Sequence, residues 1–452
     1  MFSRIRRLIT PVATLAVVAA LSGCAESNQP LATGKGEIRG INAIVSSPEI
    51  GFLIEEKSLG GMHYKATSGF HSYDDLTYNF NFDMFLTGEF DATRVLTHPL
   101  DVVADTQYTI VLTGTLTNPS SLLWEDTARE WSDSETVFEI FFAHLAPSIG
   151  DVDIYFAPVG TLPVDGADIG SLSNGGRLEL MEFEGASYEL IVTAEGNAAT
   201  ILFQSVPLAG AARTRVTLAI FDADPSVTTD VAVNLITEAG QSTLVPDANF
   251  PGQLRLLHAA YGVENVDGFL DSDFSSPDYA DIGFKEVSTY IEVTDPETTV
   301  TITPVGNSGA TIHEGGIIVA PNLKRTVILG GTLAEPLFYV VADDVRPLEP
   351  FPIVRLINMS INTDVVTVYL LEAGTPIDEV LLPTFTAMLS LFDSGFFGTS
   401  DGLQELTITA FGDLTPIATP LVLDLANGDV VDIVFVDTVD PEMLEIVVFD
   451  GQ

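Results

Sequence analysis

The sequence predicts an all-β chain of four tandem immunoglobulin-like β-sandwich domains. Three observations carry this expectation. A chain of 452 residues exceeds one ordinary domain, and 46% hydrophobic residues leave ample apolar surface to bury. Val, Ile, Thr and Phe are abundant beside 37 Gly and 25 Pro, which favours short strands and turns over long helices. One phrase, finally, is written four times: an apolar strand ending in Asn42, His144, His258 or Asn358, then a turn and a second strand. The second copy reads Phe-Glu-Ile-Phe-Phe-Ala-His144, a turn with Pro147 and Gly150, then Val152-Asp153-Ile154-Tyr155.

Residues 1–23 read as an export signal. Arg4, Arg6 and Arg7 form a positive start, and residues 8–21 an apolar core too short for a comfortable membrane span. The stretch ends Leu21-Ser22-Gly23-Cys24, and Cys24 is the only cysteine. This resembles the bacterial lipobox, which implies cleavage before Cys24, acylation of its thiol and attachment to a membrane through lipid. Ala25 and Glu26 follow, with no Asp at the next position; by resemblance to known sorting rules this implies the outer membrane. With its cysteine lipidated, the chain has no disulfide, so stability must come from hydrophobic cores. Residues 24–36 read as a polar tether.

The four repeats are expected at 37–136, 137–251, 252–350 and 351–452. In the first, strands are read at 38–42, 51–54, 78–82 and 108–112, with Trp124 and Trp131 in its tail. The second includes 188–192, 199–203 and 214–221. The third opens with Leu254-Arg255-Leu256-Leu257-His258, and the fourth with Val354-Arg355-Leu356-Ile357-Asn358, closing on 430–436 and 444–449. The repeated polar residue recurs after 102, 114 and 100 residues. That is too long for a solenoid unit of about 20–50 residues and suits a sandwich of about seven strands.

Side chains alternate along a strand, so Ile140, Phe142 and His144 share one face, as do Leu254, Leu256 and His258. The polar residue therefore ends an inward row, where it needs hydrogen-bond partners that the following turn can supply. The reading is a structural peg. The opposite face carries Arg39, Arg255 and Arg355, read as surface ion pairs contributing only ~0–1 kcal/mol each.

The phrase resembles the opening of the bacterial domain-of-unknown-function family 4397, with its His-Ala-Ser-Pro-type turn and Val-Asp-Val-Tyr strand. Here stand His144-Leu145-Ala146-Pro147 with Val152-Asp153-Ile154-Tyr155, and His258-Ala259-Ala260 with Val266-Asp267. Copies one and four depart, with Asn for His and no Asp in the second strand. The resemblance implies β-domains of the cell surface or periplasm and brings no catalytic residues.

The six histidines are scattered, and no Gly-x-Ser-x-Gly elbow, His-Glu-x-x-His or phosphate-binding glycine loop is present. No cofactor is expected. Calcium, which takes six to eight oxygens, has candidate ligands in Asp271, Asp273, Asp278 and Asp281, and in Asp222 with Asp224, though neither set has a spaced calcium-loop pattern. Trp124 and Trp131 are read as packing at the first domain junction rather than as a sugar platform. Without residues 1–23 the chain has 15 basic against 63 acidic residues, a net charge of −48. Such a charge repels nucleic acid.

The expectation is a lipid-anchored envelope protein of rod-like tandem sandwiches, not an enzyme, serving surface interaction, adhesion or spacing. Its partners would be an envelope protein or glycan. The alternative is an extracytoplasmic ligand- or carbohydrate-binding protein, or a hydrolase, with a site at a domain interface.

Overall fold

The computed structural model describes residues 31–84, 92–164, 166–224, 230–343, 346–349 and 351–450. The expected signal segment, Cys24 and residues 24–30 of the tether lie outside the described residues. The chain is all-β, with one short 3₁₀ turn at Ile377–Glu379 among the described residues.

The first sandwich shows the plan. Its strands are β1 (Lys35–Asn42), β2 (Ile50–Ile54), β3 (Lys57–Met62), β4 (His71–Asp74), β5 (Thr77–Met84), β6 (Thr93–Asp101), β7 (Thr106–Thr115) and β8 (Asn118–Thr127). They form two sheets, β4-β1-β7-β8 and β3-β2-β5-β6. Pairing is antiparallel except between β1 and β7, which run parallel from Glu37 opposite Gln107 to Asn42 opposite Leu112. Between the sheets Phe52, Phe80 and Phe82 are fully buried with Ile38, Ile110 and Leu112. The ring of Phe52 lies 5.8 Å from that of Phe80 and 5.1 Å from that of Phe82.

The plan recurs three times, opening with Val137–Leu145, Gly252–His258 and Ile353–Asn358. Each opening strand sits inside its sheet and pairs in parallel with a later one: Arg215–Asp222, Lys324–Gly331 and Val430–Asp437 respectively. The second sandwich adds Ser242–Val245 to one sheet and the two-residue strand Leu208–Ala209 to the other.

Strands buried on one face alternate, whereas those buried on both read as apolar runs. The opening strands are of the second kind, because their outer faces also pack. Ile41, Ala43, Val111 and Trp124 of the first sandwich meet Ala143, Leu145, Ala219 and Phe221 of the second. In the other pair, Leu257, Ala259 and Ile328 meet Ile357, Met359, Val434 and Val436. The residues flanking the repeated Asn or His occupy this seam in all four copies. The same two faces therefore meet twice, once in each pair. Backbones also approach closely in the first seam: a Cβ on Gly240 would lie 2.6 Å from the Cα of Gly69.

This geometry corrects two expectations. The sandwiches of a pair lie face to face, so the chain is not a rod of domains joined end to end. Arg39, Arg255 and Arg355 are 6%, 5% and 3% exposed, so they are not surface ion-pair residues. They share the strand face with the seam, and the partner sheet covers them.

In the second pair, Arg355 donates Nε to Asp432 Oδ1 at 2.5 Å and Nη2 to Asp432 Oδ2 at 2.8 Å. Its Nη2 also reaches Asp343 Oδ1 of the third sandwich at 3.0 Å, and Nη1 reaches the Ala342 carbonyl at 2.6 Å. Asp343 takes the Tyr290 hydroxyl at 2.9 Å as well, and Arg255 lies 3.8 Å from it. In the first pair, Arg39 bonds Thr109 at 2.9 Å and reaches across to the Thr237 carbonyl at 3.3 Å. The equivalent position in the second sandwich is Phe141, and the charge comes from elsewhere. Arg177 lies 4.1 Å over the Phe141 ring and forks onto Asp126 of the first sandwich at 2.6 and 2.8 Å.

A polar knot joins the two pairs. Lys65 of the first sandwich bonds Asp224 of the second at 2.7 Å. Arg346, just past the third, donates to the Val45 and Ser47 carbonyls, both at 2.6 Å.

Removing one partner of a buried pair leaves the other charge uncompensated, at a cost of about 3–5 kcal/mol. Arg355→Ala strands Asp343 and Asp432 and is expected to destabilise the second pair by that amount in urea unfolding of the full chain. A loss within the surface range of ~0–1 kcal/mol would mean that the seam does not bury these groups in solution.

Candidate functional site

The four repeated polar residues have no exposed surface. His144 Nδ1 accepts the Ala146 amide at 3.3 Å, and its Nε2 lies 3.1 Å from the Gly150 carbonyl. His258 does the same with Ala260 at 3.3 Å and the Glu264 carbonyl at 3.1 Å. A ring nitrogen that accepts an amide proton carries none, so each imidazole is neutral with its proton on Nε2. Asn42 accepts the Ile44 amide at 3.1 Å and donates to Ser47 at 2.8 Å and the Met62 carbonyl at 3.1 Å. Asn358 accepts from Ser360 at 3.2 Å and donates to the Met388 carbonyl at 3.4 Å. In every copy the side chain accepts the amide two residues on and donates to a carbonyl, which explains why Asn and His exchange there.

The motif aspartates are equally engaged. Asp153 accepts the Ser171 hydroxyl at 2.6 Å and the Gly196 amide at 2.7 Å. Asp267 accepts the amides of Asp281 and Gly306, each at 2.9 Å. Gly196 and Gly306 sit at φ +68° and +70°, where a residue without Cβ is favoured. The carboxylate thus ties the second strand to a hairpin turn.

The calcium candidates do not converge. Asp271 bonds Thr298 and the Thr299 amide, Asp273 the Ser275 amide, Asp278 the Leu270 amide and Asp281 the Asn265 side chain. Asp222 clasps Ser148 in the turn after His144, while Asp224 belongs to the polar knot. Among the described residues no group of three or more His, Cys, Asp or Glu is placed to hold a metal ion. Trp124 packs in the first seam, and half-buried Trp131 lies under Arg129 at 4.4 Å.

Exposed apolar side chains gather in the fourth sandwich. Leu381 is 94% and Leu382 68% exposed, and Leu389, Leu391 and Phe392 follow within eleven residues. Sequence reading missed this stretch because an apolar run looks the same whether it faces a core or solvent.

Burial draws the His144 and His258 pKa values below the ordinary 6.5, against the opposing pull of their carbonyl partners. An unfolded chain takes up protons below 6.5 while these folded imidazoles stay neutral. Their contribution to stability is therefore present above 6.5 and lost as pH falls from there through the depressed folded values. Replacing both with Asn, the residue of copies one and four, is expected to leave a folded protein whose melting temperature declines less between about pH 7 and about pH 5. An unchanged decline in the double variant would contradict the titration of these imidazoles.

Residues 36–155 and 252–391 match the family model described as Domain of unknown function (DUF4397). No curated protein matches the chain. Each matched region covers one sandwich and runs on through the opening strand of the next, and so includes the two opening strands that meet in a seam. The first copy, with Asn42 in place of His, lies wholly inside a match. Together the two regions span more than half of the sequence, and the chain belongs to the DUF4397 family.

Proposed function

We propose that this is a lipid-anchored protein of the cell envelope that acts without catalysis, in surface interaction or adhesion, as a stiff block of four sandwiches. The carrying observation is how the polar residues are used. The repeated His and Asn, the motif aspartates and the buried arginines all bond backbone or side-chain groups of the fold itself, and so serve the architecture. The exposed leucines at 381, 382, 389 and 391 supply an apolar surface of the kind that marks interaction sites. The lipobox-like segment ending in Cys24 supports membrane attachment, and the acidic surface supports a partner other than nucleic acid. The partner is an envelope protein or glycan.

Cys24→Ser is expected to move the protein from the membrane to the soluble fraction; continued membrane association without acyl labelling would overturn the anchor. Capture from solubilised envelope, with and without calcium, tests the interaction. A specific partner lost on Leu381→Ser/Leu382→Ser supports the reading, and equal capture by parent and variant rules out this surface.

A further inference from the structure

The second sandwich carries a feature that its architectural role does not use. A cleft of about 380 Å³ opens between its two sheets. Phe138, Ile140, Leu218 and Leu235 wall it on one side, and Phe156 and Leu208 on the other. Arg213, Thr214, Arg215, Thr237 and Glu238 stand among the lining residues as its polar groups.

The opening has a local cause. Strand Asn197–Gln204 pairs with Ser187–Ala194 through two register shifts, and the edge resumes as the two-residue strand Leu208–Ala209. At the next position is Gly210, where a Cβ would fall 2.2 Å from the Phe138 ring. The lip of the cleft is therefore bare backbone at Gly210, drawn directly against the Phe138 ring where a side chain would have no room.

An apolar cavity with a few polar groups, within the usual range of about 300–1,000 Å³, has the build of a small-molecule site. Its polar groups differ in availability. Arg215 is committed to Glu139 at 2.6 Å and to the Thr127 carbonyl at 2.9 Å. Arg213 pairs at 2.8 Å with Asp133, whose side chain is fully exposed. A pair so open to water is weak, and Arg213 can exchange it for another anion. Burial pushes the Glu238 carboxyl up, with Arg215 opposing, which lessens its repulsion of an anion.

We infer that this cleft binds a single-chain carboxylate amphiphile, its aliphatic tail among Phe138, Phe156, Leu218 and Leu235 and its head on Arg213. The lining chooses the occupant: an apolar interior excludes sugars, and a guanidinium in a chain of net charge −45 selects an anionic head. This site is independent of the exposed leucines and of the membrane anchor, so its failure leaves the proposed interaction role untouched.

The test uses the full chain carrying Cys24→Ser, titrated calorimetrically with dodecanoate below its micelle concentration and with dodecanol as the neutral counterpart. Saturable binding at one site per chain is expected. Ala209→Trp, at an exposed lining position, should weaken both ligands about tenfold or more while circular dichroism and melting stay unchanged. Arg213→Gln should weaken dodecanoate several-fold and leave dodecanol unaffected. Absence of saturable binding, or indifference of both ligands to Ala209→Trp, overturns the site. Equal effects of Arg213→Gln on the two ligands overturn the assignment of the head.

Discussion

A guanidinium group buried between two sheets must find, in protein, the hydrogen bonds it gives up in water. That requirement shapes both seams, and Arg255 meets it only in part, bonding Thr326 through Nε while its Nη2 is left without a hydrogen-bond partner among the described residues. Arg355 meets it by forking onto Asp432 of its own sheet and reaching Asp343 of the neighbouring sandwich. Arg39 meets it with Thr109 on its own side and a carbonyl on the other. Each solution needs both sandwiches of a pair, so a single one exposed alone would leave a charged row on an otherwise apolar face. Desolvating charge is costly even when paired, and the net cohesion of the seam comes from the apolar residues around it. The arginines contribute register, since a fork fits its carboxylate in one alignment only.

The family phrase is explained as a set of fastenings. The polar residue at the end of the opening strand holds its own turn, and the second-strand aspartate holds a hairpin across the other sheet. Asn and His are interchangeable at the first position because both present an acceptor and a donor at suitable separation. In the first copy Gly51 stands opposite Asp83 where the second has Asp153 opposite Thr193, so the carboxylate has moved to the paired strand. The function proposed follows from this economy. Residues that look reactive in the sequence are structural, and the binding surfaces proposed are an exposed leucine-rich stretch and a largely apolar cleft with Arg213 at its lining.

Much of the architecture was legible in the chain. The all-β class, the four-fold repetition and the opening strands follow from local signals: period-two alternation, Gly and Pro punctuation and a recurring phrase near every hundred residues. The inward placement of Asn42, His144, His258 and Asn358 follows from strand parity alone. These are properties of short segments, and backbone geometry fixes them.

Other features were decided only by tertiary structure. Parity put Arg39, Arg255 and Arg355 on the outer face but could not say that another sheet would cover it. An outer face is exposed or buried according to what packs on it, and that partner lies about a hundred residues away. Apolar residues on both faces of each opening strand did hold the clue, Ile41, Leu257 and Ile357 lying outward beside the arginines, because strands wetted on one side do not read that way. The cleft had no sequence signature at all. It depends on two register shifts and a missing Cβ meeting over one phenylalanine, a coincidence in space that no linear pattern records.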